Sequence, residues 1–161
     1  MAEGTKKQKA TILVFSGDMD KVFAAFTIAT GAAASGMDVT MFFTFWGLKA
    51  IQKGNRTGRG FFGRMLGIMN RGGINRIGPS RFNFGGIGRW MFKKMMADKG
   101  VTPLADLVQA AIDLDVKILA CKMSMDVMEI RREDLIDAVS DVTGVATYVK
   151  EASESEITLF I

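Results

Sequence analysis

Residues 10–15 (ATILVF) form a run of apolar and β-branched side chains with no alternation, the pattern of a strand covered on both faces of a parallel sheet. Ser16-Gly17-Asp18 turns the chain. Small apolar residues then run at helical spacing over 22–34, with Asp18 or Asp20 suited to the N-terminal cap and Gly36 to the C-terminal one. Residues 37–43 (MDVTMFF) predict a second strand, and Phe45-Trp46-Gly47-Leu48 a short helix that fades at Gln52-Lys53-Gly54. A helix is predicted over 89–99, closed by Gly100. Another follows Thr102-Pro103, where Thr suits the N-cap and Pro the first helical position, with Leu104, Leu107, Val108, Ala111 and Ile112 as its buried stripe. Residues 116–120 predict a third buried strand. Ser124 is placed to cap a short helix reaching Met128, 132–136 makes another helical turn, 142–151 one more helix, and 156–161 (EITLFI) a last strand.

Strands alternating with helices imply an α/β fold with a mostly parallel sheet and right-handed crossovers, whose ligands bind beyond the carboxyl ends of the strands. Segments 16–21, 44–47 and 121–125 fall there, which gathers Cys121, Ser16, Asp20, Phe45, Trp46 and Ser124 around one crevice. Lys21 lines the same region or is a solvated charge, and Asp20 serves the pocket or caps a helix. Phe45 and Trp46 either cover a reactive thiol or pack in the core or a subunit interface. Met123, with Met125 and Met128, offers an adaptable apolar surface suited to a protein partner or to ordinary packing. The Lys122 side chain is expected to point away from the thiol.

The 161 residues fit one domain, and 48% hydrophobic with 24% charged residues is a globular balance, although twelve Met and twelve Phe imply a large buried or partner-facing apolar surface. No apolar stretch approaches the roughly 18 residues needed to span a bilayer. The basic start, Lys6, Lys7 and Lys9, precedes an apolar run too short for a signal-peptide core, so a cytoplasmic location is expected.

Charge divides the chain. Residues 39–97 contain no Asp or Glu but eleven Lys or Arg, and with a net charge of +4 the remainder stands at −7. Between residues 54 and 88 this basic middle carries eleven glycines, poor material for an isolated helix, and reads as an insertion. Its Arg56, Arg59, Arg64, Arg71, Arg76, Arg81 and Arg89, interleaved with Phe, Ile, Met and Trp, suit an acidic partner or an anionic membrane surface better than nucleic acid, since no recognition motif accompanies them. The alternative is packing against a neighbouring subunit or the acidic remainder of the chain.

Chemistry is restricted by what is missing. There is no histidine and one cysteine, so Ser-His and Cys-His pairs are impossible, an internal disulfide cannot form, and no metal site is expected. Cys121 follows the apolar run 116–120, where a thiolate could carry sulfur, sense oxidation, or simply pack.

The run Ser16-Gly17-Asp18-Met19-Asp20-Lys21, the segment FFTFWGL at 42–48 and ACKMSMDVM at 120–128 resemble the DsrE/DsrF-like family, specifically its DsrE2 branch, with a match over nearly the whole chain. The resemblance implies one flavodoxin-like domain over residues 1–161 with an insertion at about 54–88, no cofactor, and a homo-oligomer, often built on trimers. It implies a sulfur-carrier or sulfurtransferase role in which Cys121 accepts sulfane sulfur as a persulfide and passes it to a partner. Donor and acceptor proteins would be rhodanese-like or TusA-like carriers. Some relatives carry a second cysteine; its absence here makes any transfer intermolecular. The competing class is a non-enzymatic oligomeric module that binds through the basic 49–94 segment.

Overall fold

The apolar runs become the centre of a five-stranded sheet: β1 (Lys9–Val14), β2 (Asp38–Phe43), β3 (Lys117–Cys121), β4 (Val139–Thr143) and β5 (Ile157–Phe160). The computed structural model describes residues 7–161; Lys6 of the basic amino-terminal run lies outside them. All pairings are parallel and the order is β4-β3-β2-β1-β5. The chain steps one way from β1 to β4 and then returns to the far side of β1, so the strand order reverses at β1.

The helices are α1 (Met19–Ala34), α2 (Phe61–Met69), α3 (Ile87–Asp98), α4 (Leu104–Asp113), α5 (Lys122–Val127) and α6 (Val145–Ser153), with a 3₁₀ turn at Phe45–Lys49. α1 and α4 pack together on one face of the sheet over the main core, in which Ile12, Phe26, Met41, Phe43 and Ile118 are fully buried. α1 closes on Gly36, whose N–H donates to Ala33 while that of Met37 donates to Ala32; the positive φ of +89° there is one that glycine adopts freely. The opposite face holds a smaller cluster of Phe42, Leu119 and Cys121, closed by Leu13 and by Tyr148 from α6, whose ring lies 5.3 Å from that of Phe42.

Several sequence expectations are corrected. Residues 142 and 143 belong to β4, so the helix expected over 142–151 starts later, at Val145. β4 is a half-exposed edge strand with a register shift against β3, where the Ile118 N–H turns to the Ser140 hydroxyl; its Ser and Asp gave no strand pattern. The glycine-rich stretch does form a helix, α2. Gly63 and Gly67, one turn apart, let its backbone approach the Glu129 carboxylate and the Thr57 carbonyl, where an added Cβ would stand 2.3 and 2.1 Å away. Glu129 also accepts the N–H groups of Arg59 and of Gly60 (2.8 Å), so a carboxylate distant in sequence caps this helix. Finally, Ser124 lies inside α5 rather than at its start, and Cys121 occupies the N-cap position. The Thr102-Pro103 signal is shifted by one residue, with Pro103 as N-cap of α4.

Candidate functional site

Backbone packing beyond the strand ends is unusually close. A Cβ at Gly47 would stand 2.1 Å from the Val14 carbonyl oxygen, and one at Gly17 would stand 2.4 Å from that of Trp46. These two glycines seat the 3₁₀ turn directly on the end of β1. Phe45 enters that turn at φ 42°, a conformation that costs a bulky residue energy, and its ring packs 5.8 Å from that of Phe15.

Cys121 ends β3 and is 3% exposed. Thr44, at the end of β2, and Ser124, in the first turn of α5, bring their hydroxyls together at 2.8 Å, both buried. Burial by itself pushes the Cys121 thiol up. The Ser124 hydroxyl and N–H, the Thr44 hydroxyl and the Met123 N–H face the sulfur and outweigh that penalty, so the thiol lies below its ordinary value. In the resting geometry no side-chain hydrogen bond closes on the helix start, so these donors are poised for a thiolate. Two hydroxyls 2.8 Å apart share one proton between them, and whichever accepts it can aim its own proton at the sulfur.

The other predicted residues divide into separate environments. Ser16, Lys21 and Trp46 line a cleft at the end of β1, together with Phe15, Asp18 and Lys49; Cys121 is not among its walls. The Ser16 hydroxyl donates to Asp18 at 3.0 Å, and Lys21 pairs with Asp18 at 3.2 Å. Asp20 is committed elsewhere, accepting from the Ser80 N–H (2.7 Å) and hydroxyl (2.8 Å). Burial raises the Asp20 carboxyl, and these Ser80 bonds more than reverse it, leaving it below the usual range. Met123 is half exposed, and Lys122 turns outward to Asp126. Among the described residues no group of His, Cys, Asp or Glu could hold a metal ion.

Two residues were not singled out from the sequence. Thr44 sits in a predicted strand-end segment, but only its distance to Ser124 marks it as part of the thiol's surroundings. Lys49 counted as one more cation of the basic stretch, although a lone Lys between Leu48 and Ala50-Ile51 is a visible signal of a charge carried into the interior. Of the seven arginines predicted to meet a partner, none forms an ion pair among the described residues: Arg71 and Arg89 donate to the carbonyls of Gly54 and Arg76, and Arg56, Arg59, Arg64 and Arg81 lie on the exposed surface. Glu129 attracts Arg59 and Arg64 without a close ion pair, so the acidic remainder offsets these cations only in part. α2 and α3 leave Phe61, Phe62, Met69 and Trp90 exposed beside these cations. No helix among the described residues is long and apolar enough to cross a membrane.

Comparison with known proteins agrees with this architecture. The chain is 41% identical to the uncharacterized protein YrkE of Bacillus subtilis over 163 residues, covering all of both chains. It is 30% identical over 159 residues to the sulfur carrier protein DsrE2 of Allochromatium vinosum, covering 97% of this chain and 99% of that one. Among solved structures it resembles MTH1491 of Methanobacterium thermoautotrophicum, a protein of unknown function (TM-score 0.58, 11% identity), and YchN of E. coli (TM-score 0.54, 12% identity). Each comparison covers 96% of this chain and the whole of the other. Residues 6–160 match the DsrE/DsrF/DrsH-like family, and the chain belongs to it.

Proposed function

We propose that this protein is a sulfur carrier that holds sulfane sulfur as a persulfide on Cys121 and passes it to a partner protein. The observation that carries the reading is the ring of donors from Thr44, Met123 and Ser124 that lowers the pKa of a buried thiol in a chain without histidine. In loading, the Cys121 thiolate attacks the outer sulfur of a donor persulfide, the donor S–S bond breaks, and the donor leaves as a thiolate while a new S–S bond forms on Cys121. In unloading, an acceptor thiolate attacks that outer sulfur and Cys121 departs as thiolate. No oxidant or reductant is consumed. A depressed pKa helps both as a source of thiolate and as a leaving group. Because Cys121 is 3% exposed and packed with Phe42, Leu119, Leu13 and Tyr148, donor and acceptor must displace part of its cover to reach it.

The chain also presents Val145 and Val149 on α6 and Phe160 on β5 as exposed apolar residues on the same side of the sheet, which supports a homo-oligomer assembled through that side. The test of sulfur loading is intact mass after incubation with polysulfide and with a persulfidated rhodanese, without reductant, on the native chain and Cys121→Ser. A one-sulfur gain, removed by dithiothreitol and missing from the serine variant, is expected; no adduct from either donor refutes the reading.

A second reading is favoured by the exposed Phe61, Phe62 and Trp90 beside arginines that form no close ion pair among the described residues: the 49–94 segment docks on an anionic membrane surface. Co-sedimentation with phosphatidylserine vesicles should be lost in a Phe61→Ser, Phe62→Ser, Trp90→Ser variant, and equal sedimentation of both proteins would sink it.

A further inference from the structure

The Lys49 side chain is 3% exposed, and among the described residues its ammonium forms no ion pair, an uncommon state for a charged group so far withdrawn from solvent. It lines the cleft at the end of β1, where burial lowers its hold on its proton. The carboxylate in that cleft, Asp18, is turned to Lys21 and Ser16. The cleft continues through Gly17, Asp18 and Asn70 into a second hollow lined by Arg71, Arg76 and Arg89. Among the described residues none of these three guanidiniums meets a carboxylate, and the Arg71 Nε is buried without a partner. Several donors and uncompensated positive charges thus converge where β1 ends. That is also where the strand order reverses, the position at which open parallel sheets bind ligands.

We infer that the cleft walled by Ser16, Trp46 and Lys49, and continued by Arg71, Arg76 and Arg89, binds a small divalent tetrahedral oxyanion, with Lys49 and Arg71 as its principal charged partners. The requirement is electrostatic: a buried cation without a counter-charge is costly, and a charge-assisted bond to an oxyanion supplies what the protein omits. Ser16 and the Asn70 amide add neutral polar groups to the same walls. Trp46 lies at the mouth, 41% exposed, and reports occupancy by its fluorescence. The site does not involve Cys121, so it stands apart from the sulfur-carrier reading.

The test uses the full chain as Cys121→Ser, so that sulfur chemistry at the thiol cannot intrude. Trp46 fluorescence and thermal unfolding are followed against sulfate, thiosulfate and phosphate, with phenyl phosphate to distinguish an inorganic ion from an ester, and sodium chloride at matched ionic strength as the control. Saturable binding by at least one of these oxyanions, weakened about tenfold or more in Lys49→Met and in Arg71→Gln, is expected. Lys49→Met keeps the apolar stem and removes an uncompensated charge, so in anion-free buffer it should unfold at a higher temperature than the parent. The inference is overturned if chloride reproduces the effect, if none of the oxyanions binds, if Lys49→Met binds as the parent does, or if that variant is destabilised without anion.

Discussion

Replacing Ser124 by Ala removes a hydroxyl that faces the Cys121 sulfur while leaving the backbone N–H groups in place. A hydrogen bond to a charged group is worth about 1.5–3 kcal/mol. The lower end applies, because Thr44, 2.8 Å from the Ser124 oxygen, is free to re-aim its own proton at the sulfur. That corresponds to about a tenfold loss in the thiolate-to-thiol ratio in mildly acidic buffer. The rate of alkylation falls by less, since a more basic thiolate is also more nucleophilic; with a Brønsted slope of about 0.45 the net loss is about threefold to fourfold. Well above the thiol pKa the same slope makes the variant about threefold faster. Thiolate absorbance against pH locates the titration without requiring reagent access to a buried sulfur, and iodoacetamide rates across the same range reveal the crossing. A purely steric change would move both limbs in one direction. An unmoved absorbance titration, or rates that fall at every pH, would refute the account of the thiol given above.

Three other outcomes follow from particular contacts. Gly47→Ala places a Cβ 2.1 Å from the Val14 carbonyl and should cost about 2 kcal/mol or more in urea unfolding, whereas Gly31→Ala, with nothing within 4 Å inside α1, should be neutral or stabilising; equal midpoints would contradict the close seating of the 3₁₀ turn. Glu129 is held below its ordinary 4.5 first by the N–H groups of Arg59 and Gly60. Its folded value is depressed, so the stability it lends α2 is present above the ordinary value and is lost as pH falls through the folded one. Amide exchange in residues 59–69 should quicken in acid, and Glu129→Gln should already show this at neutral pH; protection unchanged by either would reject the cap. Phe160→Asp alters a residue 70% exposed in one chain and should fold normally while sedimenting near 17.6 kDa, against a larger native assembly; a native chain that is itself monomeric removes the proposed interface.

Local pattern carried much of this protein because its central strands are buried on both faces. Burial on both faces makes most of residues 10–14, 39–43 and 118–120 apolar, and Gly36 supplies the left-handed turn that ends α1, so a reader of the chain finds them without coordinates. The single cysteine and the lack of histidine likewise limited the chemistry before any fold was known. Other features depend on groups far apart in the chain. β4 is held by pairing with β3 rather than by its own polar residues, and the start of α2 is anchored by Glu129, some seventy positions later. Whether Ser124 caps a helix or faces a thiol was settled by Thr44, eighty positions away, and the charge of Lys49 became a feature only when the turn at 45–49 folded it against the end of β1. Hydrophobic burial leaves a periodic trace in the order of residues, whereas the pairing of polar groups is decided only when tertiary packing brings donors and acceptors together.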